Sequence, residues 1–140
     1  MISNTKEELH MLIEIDFQSD EAIYMQLRNQ IIMAIATSMI HEGDPLPSVR
    51  QLAGDIGINM HTVNKAYSVL RQEGFVTIDR RKGAVIALDT DKMQAVEELR
   101  EGLRVILAKA VCKDVSRAEV HELVDEIYRE LGKQEDDGCR

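Results

Sequence analysis

The sequence predicts a mostly α fold, with an N-terminal winged helix-turn-helix of three helices and a two-stranded β wing, followed by a two-helix C-terminal dimerisation tail. Three observations carry this. First, Val49, Leu52, Ala53 and Ile56 fall at i, i+3, i+4, i+7, and Val63, Ala66, Tyr67 and Leu70 repeat the spacing after a break at Gly57, Ile58 and Asn59. Two short helices, each with one apolar stripe, meet at a tight turn. Second, β-type runs from Phe75 to Ile78 and from Ala84 to Leu88 enclose the turn Asp79-Arg80-Arg81-Lys82-Gly83. Third, helical periodicity returns at Asp91 and persists, with one interruption, to Leu131.

The winged helix-turn-helix is expected over residues 11–88. Met11 to Phe17, MLIEIDF, reads as a short strand or extended arm. Ser19 or Asp20 then caps a long helix from about Glu21 to His41. Its apolar face holds Tyr24, Leu27, Ile31, Ile35 and Met39, widened by Ile23, Ile32 and Ala36, which implies burial on two sides. Gly43, Asp44, Pro45 and Pro47 end that helix. Ser48 and Gln51 have the spacing of a capping box at the start of the next one. Gly57 can take the left-handed backbone that closes this second helix, and Asn59 can cap the third through its side-chain oxygen. Gly74 ends the third helix, and the hairpin that follows forms the wing.

On the third helix the face opposite the apolar stripe carries His61, Asn64, Lys65 and Ser68, with Thr62 beside them. Polar donors and acceptors on an outward stripe are what a recognition helix offers to base edges and phosphates. Arg50 lies in the first turn of the second helix, where a cation is slightly unfavourable for the helix dipole, and a DNA phosphate or base would account for it. Arg80, Arg81 and Lys82 at a hairpin tip are ordinarily a solvated turn. Directly after a helix-turn-helix they read as a DNA-contacting wing, in which Gly83 lets the backbone approach closely.

Charge distribution supports the same reading. The 140 residues have a net charge of −8, yet residues 43–83 hold 6 basic and 4 acidic side chains, a net of +2, while the segments on either side are each −5. An acidic remainder repels DNA from the wrong faces, and the local basic set attracts phosphates.

The tail is expected over residues 89–132, with a disordered end over 133–140. Met93, Val96, Leu99, Leu103, Ile106, Leu107 and Ala110 mark one helix to about Lys113. Ser116 and Glu119 form a capping box flanked by Val115 and Val120 at staple positions, and the next helix presents Val120, Leu123, Val124, Ile127 and Leu131. Two amphipathic helices joined by a tight turn cannot enclose a pocket, but they can pair with a copy of themselves. Leu99, Leu103, Ile106, Leu107, Leu123, Val124, Ile127 and Leu131 are the candidate dimerisation residues.

With 44% hydrophobic and 30% charged residues the chain reads as globular, and no apolar run approaches the roughly 18 residues of a membrane span. Met1 to His10 lacks the features of a secretory signal, so a cytoplasmic protein is expected. Cys112 and Cys139 read as free thiols. No cofactor or metal is expected, because His10, His41, His61 and His121 have no partner at useful spacing. Paired carboxylates, a nucleophile with its base and a phosphate loop are also missing, which argues against an enzyme. The seven Met residues read as core filler. Tyr128, Arg104 and His121 could line a shallow effector groove at a dimer interface, and exposed positions on amphipathic helices explain them as well, so a small-molecule effector stays open.

Leu46-Pro47-Ser48-Val49-Arg50-Gln51-Leu52-Ala53, then Gly57 to Tyr67, then Leu70 and Glu73-Gly74 resemble the signature of the GntR family of bacterial transcriptional regulators. The resemblance implies DNA contacts from Ser48 and Arg50, from Asn59, His61, Thr62 and Asn64, and from Arg80 to Gly83. The short two-helix tail and the MLIEIDF segment are similar to the YtrA-like branch, small dimers often governing transporter operons. Ala22 departs from the proline frequent there, and the wing lacks a second glycine. The expected function is therefore a homodimeric repressor placing two recognition helices in successive major grooves of a palindromic operator in double-stranded DNA. The alternative is a winged-helix protein-interaction module without DNA binding. The polar stripe argues against it, since a protein-binding face more often exposes apolar or aromatic anchors.

Overall fold

In the computed structural model, which describes residues 5–132, the chain begins with a helix that the apolar pattern does not announce, α1 (Thr5–Leu12). Eight residues give barely two turns, too few to show a period. What fixes the helix is tertiary, because Leu9 is fully buried and α1 lies against α3 (Val49–Ile56). His10 Nδ1 faces Asp55 across that contact at 4.0 Å.

The segment expected as a strand or arm is thus divided. Met11 and Leu12 finish α1, and the residues from Ile13 to Asp16 have no regular secondary structure and join no sheet. Two glutamines of α2 (Ile23–Ala36) take the place of a partner strand. Gln30 accepts from the Glu14 amide at 2.7 Å and donates to its carbonyl at 2.6 Å. Gln26, which is buried, accepts from the Asp16 amide and donates to the carbonyls of Asp16 and Glu21. Buried polar groups persist where their hydrogen bonds are satisfied, and Gln26 meets that condition.

α2 is shorter than its apolar pattern predicts. Ala22 stands at its N-cap and has no side-chain acceptor to offer, while Ser19, expected as a cap, accepts from the Glu21 amide in the preceding turn. At the other end the Thr37 hydroxyl donates to the Met33 carbonyl, Ser38 adopts φ 61°, and the amides of Met39 and Ile40 both donate to Ala34. Ile40 returns to the core while Met39, expected on the buried face, is 54% exposed.

The helix-turn-helix follows its local chemistry. The Ser48 hydroxyl accepts from the Gln51 amide at 3.1 Å, although among the described residues the Gln51 side chain makes no return bond to complete the box. Gly57 closes α3 at φ 73°, with its amide donating to Ala53. Asn59 caps α4 (Met60–Gln72) by accepting from the His61 amide at 2.7 Å. Val63, Ala66, Tyr67 and Leu70 of α4 are buried against α2 and α3, and the Tyr67 hydroxyl donates to the Pro47 carbonyl at 2.8 Å. Burial pushes the Tyr67 phenol well above its ordinary pKa.

β1 (Val76–Asp79) and β2 (Gly83–Ile86) pair antiparallel in the register Val76 to Ile86 and Asp79 to Gly83. A bridge from Pro45 to Val85 ties the segment before α3 to the base of the wing. Gly74, at φ 85°, has no room for a side chain, since a Cβ there would stand 2.8 Å from that of Asp89.

The chain divides into two compact units between Asp89 and Thr90. The second holds α5 (Lys92–Cys112), capped by Asp91, and α6 (Arg117–Glu130), whose Ser116–Glu119 capping box forms in both directions. Val115 and Val120 are half-buried at the turn, as staple residues should be. The two helices nevertheless make few close backbone approaches, and neither contains a buried residue. The segment 133–140, including Cys139, and the first four residues lie outside the described residues.

Candidate nucleic-acid interface

Burying one stripe of α4 leaves the opposite side free. His61, Asn64, Lys65 and Ser68 are exposed along α4, and Thr62 is half-buried. Among the described residues, the side chains of Arg50, His61, Asn64, Arg80 and Arg81 make no hydrogen bond or ion pair, so their donors and acceptors are available to a partner. Ser48 and Asn59 are committed differently, since each uses its side-chain oxygen to cap a helix.

Two concavities gather these residues. The first, about 290 Å³, runs between α4 and the wing, and includes Ser48, Asn64, Ser68, Arg71, Lys82 and Gly83 in its lining. The second, about 390 Å³, joins His61, Thr62 and Lys65 to Ile23 and Tyr24 at the start of α2. Here Lys65 Nζ sits 4.1 Å from the centroid of the Tyr24 ring, a cation–π contact that holds the ammonium over α2. Sequence periodicity puts Lys65 on the outward stripe but cannot show this contact. Arg50, Asn59, Arg80 and Arg81 are exposed and line neither concavity.

The wing tip is organised by one carboxylate. Asp79 Oδ1 accepts from the amides of Lys82 at 3.0 Å and Arg81 at 2.7 Å. These bonds, Lys82 first, hold the Asp79 carboxyl below its ordinary pKa, and the Lys82 charge adds to the effect. The turn thereby keeps three basic side chains projecting from a fixed backbone.

Two exposed polar residues of the first concavity, Ser68 and Arg71, go beyond the site that sequence reasoning assigns. Ser68 reads there as part of the stripe but not as a contact, and Arg71 only as part of a helix end. The signal is present, because Asn64, Ser68 and Arg71 stand at i, i+4, i+7 and continue the outward stripe by one turn. The tail residues Leu99, Leu103, Ile106, Leu107, Leu123, Val124 and Ile127 are all exposed in the second unit, and Leu131 is half-buried. Arg104 pairs with Glu101 at 3.3 Å, and Arg117 approaches His121 at 3.4 Å, both one turn apart on the same helix. Among the described residues no helix is long and apolar enough to cross a membrane.

Residues 21–86 match the model of the bacterial regulatory proteins, gntR family. The HTH-type transcriptional repressor YtrA of Bacillus subtilis is 34% identical over 131 residues, covering 89% of this chain and all of that protein. The HTH-type regulator YhcF of the same organism is 36% identical over 87 residues, or 62% of this chain and 69% of its own. Among solved structures, one described as a transcriptional antiterminator from Listeria monocytogenes superposes with a TM-score of 0.76 at 30% identity, covering 89% of this chain and 96% of the other. YtrA from Sulfolobus acidocaldarius, a GntR-family transcription factor, gives 0.62 at 40% identity over 72% of this chain and 98% of its own. These relatives are regulators of transcription rather than enzymes.

Proposed function

Because the chain belongs to the gntR family of bacterial transcriptional regulators and carries that family's type of DNA-binding domain, we propose that it is a homodimeric repressor that binds a palindromic operator. Residues 11–88 read the DNA and residues 89–132 join two copies. His61, Thr62 and Asn64, in the first two turns of α4, reach base edges in the major groove, the end from which helix-turn-helix proteins read sequence. Ser48, Arg50, Asn59 and Lys65 stand beside the phosphates, and Arg80, Arg81, Lys82 and Gly83 carry the wing to the backbone or minor groove. The observation that carries this reading is the cleft between α4 and the wing, where the unbonded side chains of Asn64 and Arg71 meet Lys82.

Palindromy follows from two-fold symmetry, and the exposed apolar faces of α5 and α6 supply the reason to pair. The likeness to the YtrA repressor of Bacillus subtilis supports repression as the activity, and a transporter operon as the target rests on the resemblance of the tail to the YtrA-like branch alone. Such action belongs to the cytoplasm, where bacterial DNA resides. Selection of bound fragments from the source genome, followed by footprinting, tests the proposal. Two half-sites about 34–36 Å apart, one helical turn, are expected. Enrichment of no sequence over bulk DNA would overturn it.

A further inference from the structure

The cleft between α4 and the wing brings basic and hydroxyl side chains together. Arg71 in the last turn of α4 and Lys82 in the wing line it from two elements, with Ser68 one turn before Arg71 along α4. The first residues of α3 border it as well, and the opening amides of a helix have no partner within the helix. Its 290 Å³ is roughly ten times the ~30 Å³ share of one liquid water, ample for a phosphodiester group. Arg71 is exposed, and among the described residues its guanidinium makes no hydrogen bond or ion pair. Favourable interaction with the C-terminal end of α4 accounts for a cation in that turn. It does not account for the residue's facing a concavity shared with Lys82, Ser68 and Asn64.

We propose that this cleft seats one DNA backbone phosphate, held by Arg71 with help from Ser68. The inference rests on the DNA-binding reading and extends it. If α4 occupies a major groove and the wing the neighbouring minor groove, the strand separating the two grooves must pass between them, and this cleft is that passage. A guanidinium presents a planar fork of donors to phosphate oxygens, and a serine hydroxyl adds one more. Asn64, on the same cleft, then reads a base beside a strand whose position Arg71 has fixed.

Fluorescence anisotropy with a mixed-sequence duplex, repeated across a series of KCl concentrations, reads the number of phosphates neutralised. Native protein should show a steep linear fall of log K with log salt. Arg71→Gln should reduce the slope by about 0.9 for each protomer engaged, with affinity falling for every duplex alike. Arg71→Lys should restore the slope, since the charge returns, and Ser68→Ala should weaken binding and leave the slope near native. Thermal unfolding of Arg71→Gln unchanged from native would separate the effect from folding. An unaltered slope in Arg71→Gln, with native binding steeply salt-dependent, overturns the phosphate seat and leaves the DNA-binding reading intact. If native protein does not bind the duplex at any salt concentration in the series, both fall. Inorganic phosphate at matched ionic strength distinguishes the source. Because free phosphate competes for a seat that holds a DNA phosphate, displacement of DNA from the native protein but not from Arg71→Gln is expected, whereas tighter DNA binding on adding phosphate, in the native protein alone, would assign the cleft to a free phosphate compound and overturn the backbone-phosphate assignment.

Discussion

Asn64 stands in the second turn of α4 with its amide unbonded, on the lip of the cleft shared by α4 and the wing. An amide can make a paired donor and acceptor contact with adenine, so Asn64→Ala should cost about 1–3 kcal/mol on the preferred operator and relax choice at one base pair. Affinity measured over single-base operator variants checks this, and retention of both affinity and preference would reduce the residue to a solvated position. Asp79 has a different office, holding the wing tip through the amides of Lys82 and Arg81. Its folded-state pKa is depressed, so the stabilisation is complete above the ordinary carboxylate range and is lost as pH falls through the lower, folded value. Amide resonances of Arg81 and Lys82 should therefore hold their positions from neutral pH down through mildly acidic conditions and shift together only below the usual aspartate titration. A shift centred at the ordinary aspartate pKa would show that the turn does not depend on that carboxylate.

At the scale of elements, the role proposed for the wing turns on charge rather than shape. Replacing Arg81 and Lys82 with alanine should lower affinity for all duplexes alike and flatten the salt dependence by about 0.9 for each phosphate left unneutralised. An unchanged slope in the titration would show that the wing stays clear of DNA. The elements legible in the sequence are those specified locally. Ser48, Gly57, Asn59, Gly74 and the Ser116–Glu119 box sit at the helix ends their residue types predict, because caps depend on one or two bonds between near neighbours. The elements that escape are those decided at a distance. α1 exists because Leu9 is buried, and the irregular segment after it is hydrogen-bonded by the glutamines Gln26 and Gln30, residues that periodicity treats as ordinary polar positions. Apolar spacing misplaces the end of α2, since it continues to Met39, whereas Thr37 and Ser38 turn the backbone first. In the site, residue types are readable along one helix face, but the contact of Lys65 with Tyr24 and the cleft around Arg71 each join separate elements and require the fold.

The whole molecule poses one problem of exposed surface. Leu99, Leu103, Ile106, Leu107, Leu123, Val124 and Ile127 stand open to water on α5 and α6, which bury no residue of their own. Contiguous apolar surface beyond a few hundred Å² is rare on a soluble monomer, and covering it with a second copy contributes about 25 cal/mol per Å². A dimer also makes the second half-site contact intramolecular, raising affinity well above that of one winged helix alone. Leu103→Asp together with Leu107→Asp places unpaired carboxylates in that surface, where burial of a charge is strongly unfavourable. The double variant should dissociate and lose operator binding by far more than any wing substitution, while each winged helix keeps its fold by far-ultraviolet circular dichroism. The direct measurement is sedimentation equilibrium of the native protein at micromolar concentration. A single species of twice the 15.9 kDa chain mass is expected, and a single species at 15.9 kDa would contradict both the dimer and the palindrome inferred from it.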